Sequence, residues 1–175
     1  MGANMRTTVN SAQLINQTSG DFEYYTPPHI IEAARRTMGG IDLDPASSFA
    51  ANISVCATRY YDQLDDGLTQ IWSGRIWLNH PFSRAHNAAW INKLIIEYGQ
   101  GHIEQACCIT FAATSEKWFQ PLLHFPQCFL SPRTNYHLPD GTLKRGVTKG
   151  SVVTYLGPHV DKFRWEFRAL GIVKY

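Results

Sequence analysis

The sequence predicts a three-layer α/β domain, and three observations predict it. Short apolar runs read as buried strands, with Arg75–Leu78 and Gln105–Phe111 the plainest cases. Segments of helical period lie between such runs, Ala88–Tyr98 above all. Strands that alternate with helices along one chain pack as a sheet covered on both faces. The length, 175 residues with 44% hydrophobic content, suits one domain with a continuous core and no need of a metal or disulfide staple.

The elements follow in order. Residues Met1–Gly20 are polar, rich in Thr, Ser, Asn and Gln, and aperiodic. They read as a mobile arm, with a folded domain expected over 21–175. Tyr25-Thr26-Pro27-Pro28 looks like a helix start, with Thr26 able to cap and proline tolerated in the first turn. Ile30, Ile31, Ala34 and Met38 form an apolar stripe, and Gly39-Gly40 should end the helix. Ile41–Pro45 reads as a short strand running into a turn, and Asp65-Asp66-Gly67 as a turn. Arg75–Leu78 must stop by Asn79, because Pro81 cannot continue a central ladder. The helix over Ala88–Tyr98 turns Trp90, Ile91, Leu94, Ile95 and Tyr98 inward. A helix is expected over Glu116–Leu123, strands over Gln127–Leu130 and Ser151–Leu156, and a helix over Asp161–Ala169 with Phe163, Phe167 and Leu170 inward. The pattern is that of a Rossmann-type sheet.

Composition bounds the chemistry. Sixteen basic against fourteen acidic residues, a formal +2, is too mild to imply a polyanion partner. Arg133, Lys144, Arg145 and Lys149 face a single acid, Asp140, between Ser131 and Ser151. On charge alone that stretch is an ordinary solvated loop. The four cysteines have no CxxC or zinc-finger spacing, so no metal is expected, and Cys107-Cys108 reads as buried strand. With no signal peptide or long apolar run, neither secretion nor a membrane span is expected. Unpaired thiols fit a reducing cytoplasm.

Asn79-His80-Pro81-Phe82, at the end of a buried strand, is the feature with chemistry in it. Open α/β sheets work at the carboxyl ends of their strands. The Asn79 side-chain oxygen can accept one N–H of an exocyclic amine, and the His80 carbonyl, held by Pro81, the other. Phe82 can stack on the ring that carries the amine. Two placed acceptors draw the nitrogen toward tetrahedral geometry and free its lone pair for attack on a methyl donor. Four residues alone equally describe a strand followed by an Asn-containing turn.

The tetrapeptide resembles the (D/N/S)PP(Y/F/W) signature of amino-methyltransferases. The wider chain is similar to the phage-type DNA N6-adenine methyltransferases, often called Dam-like. The match runs through Asp21-Phe22-Glu23-Tyr24-Tyr25-Thr26-Pro27-Pro28, Gly40–Ala46 with Asn52 nearby, Asp65–Leu68, Trp72–Asn79 and Trp118–Leu122. That resemblance implies a single-domain, Rossmann-like S-adenosylmethionine-dependent methyltransferase fold, a three-layer sandwich on a mixed sheet. It implies site-specific transfer of a methyl group to adenine N6 in double-stranded DNA. Transfer to cytosine N4 keeps the same chemistry and is the nearest alternative. A DNA-binding protein whose transfer has lapsed is another. If the chain is phage-encoded, it works in the bacterial host cytoplasm.

The same resemblance assigns residues. Tyr25, Thr26 and Pro27 match the segment that helps hold the methionine part of the donor, and a helix start there suits its carboxylate. Asp42 and Asp44 match acids set near the donor's amino group or ribose; a capped or turn-forming acid pair is the alternative. Tyr24 and Tyr25 are candidates to face the sulfonium or the adenine ring. Leu43, between the aspartates, should pack the other way. His80 departs from the usual proline, and no Gly-x-Gly loop follows the first strand. The neutral Asn79 accepts less strongly than an aspartate would.

A base inside a duplex must be flipped out to reach a strand end, at roughly a few kcal/mol. Phe82 is the expected stacking partner, with Ser83 and Arg84 on the flanking phosphate. Arg133, Lys144, Arg145 and Lys149 make their segment the candidate DNA-facing loop, with Asn135, Tyr136 and His137 near base edges. An ordinary β-hairpin with exposed lysines competes with that reading.

Overall fold

Pro28 opens helix α1 (Pro28–Met38), and Gly39 ends it in the left-handed conformation at φ 79°. The computed structural model describes residues 24–82, 86–138, 141–144 and 147–175. The expected arm, Asp21–Glu23, Ser83, Arg84 and Arg145 lie outside the described residues.

After α1 come β1 (Leu43–Asp44), α2 (Phe49–Val55), β2 (Arg59–Tyr60), β3 (Gly74–Leu78), α3 (Asn87–Gly99) and β4 (Ile103–Phe111). A 3-10 turn (Gln120–His124) leads to β5 (Gln127–Leu130), a hairpin of β6 (Tyr136–His137) and β7 (Leu143–Lys144), then β8 (Ser151–Leu156), α4 (Val160–Phe167) and β9 (Gly171–Lys174). The main sheet has the order β2-β1-β3-β4-β8-β5-β9. β2, β1, β3 and β4 are mutually parallel, β8 is antiparallel to both β4 and β5, and β9 is antiparallel to β5. The expected mixed sheet is therefore present.

Strand alternation divides the core in two. Trp77, Cys107, Ile109, Val153 and Tyr155 face one side, where Ile30, Ile31 and Ala34 of α1 and Phe163 and Phe167 of α4 cover them. Ile76, Leu78, Ala106, Cys108, Val152 and Leu156 face the other, under Trp90, Ile91 and Leu94 of α3. The adjacent cysteines thus point to opposite faces, as a period of two requires. Leu43 is fully buried in the second core. Arg36 ties α1 to Glu166 of α4 at 2.6 Å.

Three local expectations are corrected. Thr26 does not cap α1: Pro27 occupies the cap position and no side chain bonds there. Glu116–Leu123 is not an α-helix but turns closing i to i−3, ending in the 3-10 turn. Pro126 forces Phe125 into extended backbone, so a full α-turn has no room after Pro121. Helix α4 stops at Phe167, short of Ala169. Beyond these, α2, β2 and β9 carry too few periodic residues to be read locally; Phe49 and Ile53 of α2 point outward.

Candidate active site at the carboxyl ends of β1 and β3

From β1 the chain runs through α2 to β2 at one sheet edge, then crosses back to β3 on the far side of β1. The order reverses between β1 and β3, so a crevice opens beyond their carboxyl ends. Asp44 ends β1 and Asn79 follows β3.

Asp44 is 2% exposed. Its Oδ1 accepts the Ala46 N–H at 3.2 Å, Ser47 lies close by without meeting hydrogen-bond geometry, and among the described residues no cation pairs with it. Burial outweighs these influences and pushes its pKa up to about 7. Gly67 lies against the turn that follows: a Cβ there would sit 1.9 Å from the Pro45 carbonyl oxygen, so only glycine fits.

Asp42 meets the opposite fate. Its Oδ2 accepts the Arg75 backbone N–H and Nε at 2.8 Å each, and its Oδ1 the second guanidinium arm at 2.7 Å. The Arg75 hydrogen bonds hold its carboxyl below the usual range. This fork lies at the amino-terminal side of β3, away from Asn79. Asp42, expected among the donor-binding residues, has both oxygens bonded to Arg75.

Asn79 is half-buried, and its Nδ2 donates to the Tyr24 carbonyl at 2.7 Å. The Oδ1 atom has no partner among the described residues and is left to accept. Phe82 packs on Phe111 with ring centroids 4.4 Å apart, and Tyr24 and Tyr136 stand 6.3 and 5.7 Å from it. The three neighbours make an aromatic wall beside Asn79. Phe111 and Tyr136 were not anticipated there: Phe111 merely looks like the end of a core strand in sequence. Tyr136, expected near base edges, is 1% exposed and bonds Ser151 Oγ at 2.7 Å.

His80 is buried on the other face, stacked on Trp90 at 6.5 Å and 8°. Its Nδ1 donates to the Pro81 carbonyl at 3.0 Å; a carbonyl only accepts, which fixes the tautomer. Burial pushes its pKa down to about 4, so the ring is neutral near pH 7. The ring also meets Phe82 and Trp118 edge-on, at 5.8 and 6.5 Å.

The segment before α1 joins these parts. Tyr25 exchanges two backbone hydrogen bonds with His137 of the hairpin, at 2.8 and 2.9 Å. Its hydroxyl meets Ser48 Oγ at 2.9 Å, in the loop after β1. Among the described residues, five buried side-chain atoms lack a partner: Thr26 Oγ1, Ser47 Oγ, His80 Nε2, Asn87 Oδ1 and Thr110 Oγ1. Ser47 follows β1, His80 and Asn87 follow β3, Thr110 lies near the end of β4 and Thr26 just before α1. Buried polar atoms are ordinarily paired.

Arg133 is exposed and lines a groove of about 450 Å³ with Pro28, His29 and His137. Lys149 is exposed, its Nζ 5.5 Å from the Phe111 ring. Lys144 lies half-buried in β7, so the segment does form a hairpin.

The fold is an α/β mixed sheet with a topological switch point between β1 and β3. The chain belongs to the DNA N-6-adenine-methyltransferase (Dam) family, whose model matches residues 15–126. It is thus an S-adenosylmethionine-dependent, site-specific DNA methyltransferase acting on adenine N6. Comparison with curated proteins and with solved structures yields no match. Among the described residues no helix is long and apolar enough to cross a membrane.

Proposed function

We propose that Asn79 Oδ1 and the His80 carbonyl are the two acceptors of the adenine amine, with Phe82 as the stacking platform for a base flipped from double-stranded DNA. The observation that carries this reading is Asn79 at the switch point of the sheet, its Nδ2 held by the Tyr24 carbonyl and its Oδ1 without a partner among the described residues, with the Tyr24 ring 6.3 Å from that of Phe82. As the amine attacks, its N–H bonds polarise, and both acceptors gain more in the transition state than in the ground state. Pro81 fixes the turn that aims the His80 carbonyl. No side chain needs to act as a base before the methyl group moves, and neutral His80 is consistent with that. Lys149 and Arg133, with Lys144, Arg145, Ser83 and Arg84, are assigned to the phosphates.

S-adenosylmethionine supplies the electrophilic methyl group when bound. The residues present fit such a molecule: among the described residues Thr26 Oγ1 and Ser47 Oγ are buried without partners, and Asp44 is buried without a cation. Tyr24, Tyr25, Thr26 and Pro27 with Asp44 would hold it. An ammonium or hydroxyl brought to Asp44 would favour its ionised form. The protein's work is then to bind, orient and exclude water. Its free thiols agree with a cytoplasmic setting.

Asn79→Ala is expected to lower the methylation rate by about 10²–10³-fold, the usual cost of one placed transition-state partner. Donor binding, measured by calorimetry, should change little. Near-normal incorporation of N6-methyladenine, read by mass spectrometry of digested duplex, would overturn the role of Asn79.

A further inference from the structure

Asparagine is a weaker acceptor than the aspartate this position could also use, since a carboxylate draws an N–H more strongly. The surroundings of Asn79 supply a reason for keeping it. Its side chain faces the Tyr24 backbone carbonyl at 2.7 Å. A carbonyl can only accept, so the facing atom is the amide nitrogen, and Oδ1 must point the other way. The two ends of the carboxamide therefore do different jobs: one anchors, the other is left open.

We propose that the Tyr24 carbonyl is the positioning group that selects asparagine over aspartate at position 79, and that the inference rests on Asn79 being the amine acceptor. An ionised aspartate would set a negative oxygen against the carbonyl oxygen at hydrogen-bonding distance. It must swing away, and the acceptor leaves its aim. A protonated aspartate escapes the conflict, because its O–H donates to Tyr24 while its C=O takes the place of Oδ1. Tyr24 also leads directly into Tyr25, which is bonded to the hairpin through His137 and to the loop after β1 through Ser48. The acceptor is thereby aimed by the same segment that both neighbouring loops hold.

The test compares Asn79→Asp with wild type and Asn79→Ala across pH 5–8, each rate divided by the wild-type rate at that pH. Among the described residues the other titratable or charged groups at this end are Asp44, His80, Tyr24, Tyr25, Tyr136, His137, Arg133 and Lys149, and division by wild type removes their shared effect. Asn79→Asp is expected to fall about 100-fold at pH 8, and its ratio to wild type to rise about tenfold toward pH 5. A ratio at or above one at pH 8, with Asn79→Ala inactive, overturns the inference and leaves the acceptor role standing. A flat low ratio also overturns it. An active Asn79→Ala overturns the acceptor role itself. Should Asn79→Asp fail to fold, side-chain amide exchange in wild type decides. One slowly exchanging Asn79 N–H, assigned by its loss in Asn79→Ala, supports the bond to Tyr24, and two fast ones refute it.

Discussion

Two aspartates separated by one residue show how differently the two ends of the sheet are built. At the amino-terminal side, Asp42 has every oxygen engaged by Arg75, whose remaining arm donates to the Gly39 carbonyl at 2.7 Å. Nearby Glu97 is likewise shared between Lys93 and His102 at 3.0 and 2.7 Å. At the carboxyl side, Asp44 is buried with no cation among the described residues, and Ser47 Oγ, three residues on, and Thr26 Oγ1 are buried without partners there. A polar group buried without a partner costs stability, about 1–3 kcal/mol each. One aspartate is satisfied by the chain itself, and the other is held largely by burial.

The largest break in this contrast comes from Asp44→Asn. The rise from an ordinary 3.8 to about 7 corresponds to roughly 4 kcal/mol. For an acid whose folded pKa is raised, the native state holds a proton that the unfolded chain has lost. Stability therefore falls as pH rises from about 4 to 7 and is level above that. Asp44→Asn should abolish the fall and be more stable than wild type at pH 8, while binding S-adenosylmethionine more weakly. Denaturant melts at pH 5 and pH 8 read the first effect and calorimetry the second. Equal stability of the two proteins at pH 8 would mean that Asp44 is not strained.

Asp42→Ala should do the reverse at the satisfied end. A loss of about 1–2 kcal/mol is expected, modest because both partners are about a third exposed. The sign with pH is opposite too: a lowered folded pKa stabilises above the unfolded value near 4, and that support is lost as pH falls through the folded one. Methylation per folded molecule should be unchanged, and a large loss of rate would return Asp42 to the site. Thr26→Val is the smallest test. Removing an orphaned hydroxyl should raise stability by about 1 kcal/mol and weaken donor binding; a drop in stability would show that Thr26 is satisfied.

Much of this was legible along the chain, for local reasons. The stripe of α1, the glycine that ends it, and the alternation in β3 and β4 are periodic signals carried by neighbouring residues. So is the position of Asn79, since a proline two residues on must end the strand. The Glu116–Leu123 expectation failed because two prolines leave too short an interval, which periodicity does not register. Thr26 looked like a cap because its residue type suits one, yet Pro27 took the position.

What the sequence determined by itself is the alternation of strand and helix, the acceptor tetrapeptide at a strand end, and the family. Tertiary structure decided which aspartate Arg75 engages, which carbonyl Asn79 donates to, and which aromatics stand beside Phe82. The physical reason is distance along the chain. Arg75 meets Asp42 across 33 residues and Tyr24 meets Asn79 across 55, and partners so far apart leave no trace in local pattern. They meet only because the sheet order brings β1 beside β3 and the segment before α1 across their ends.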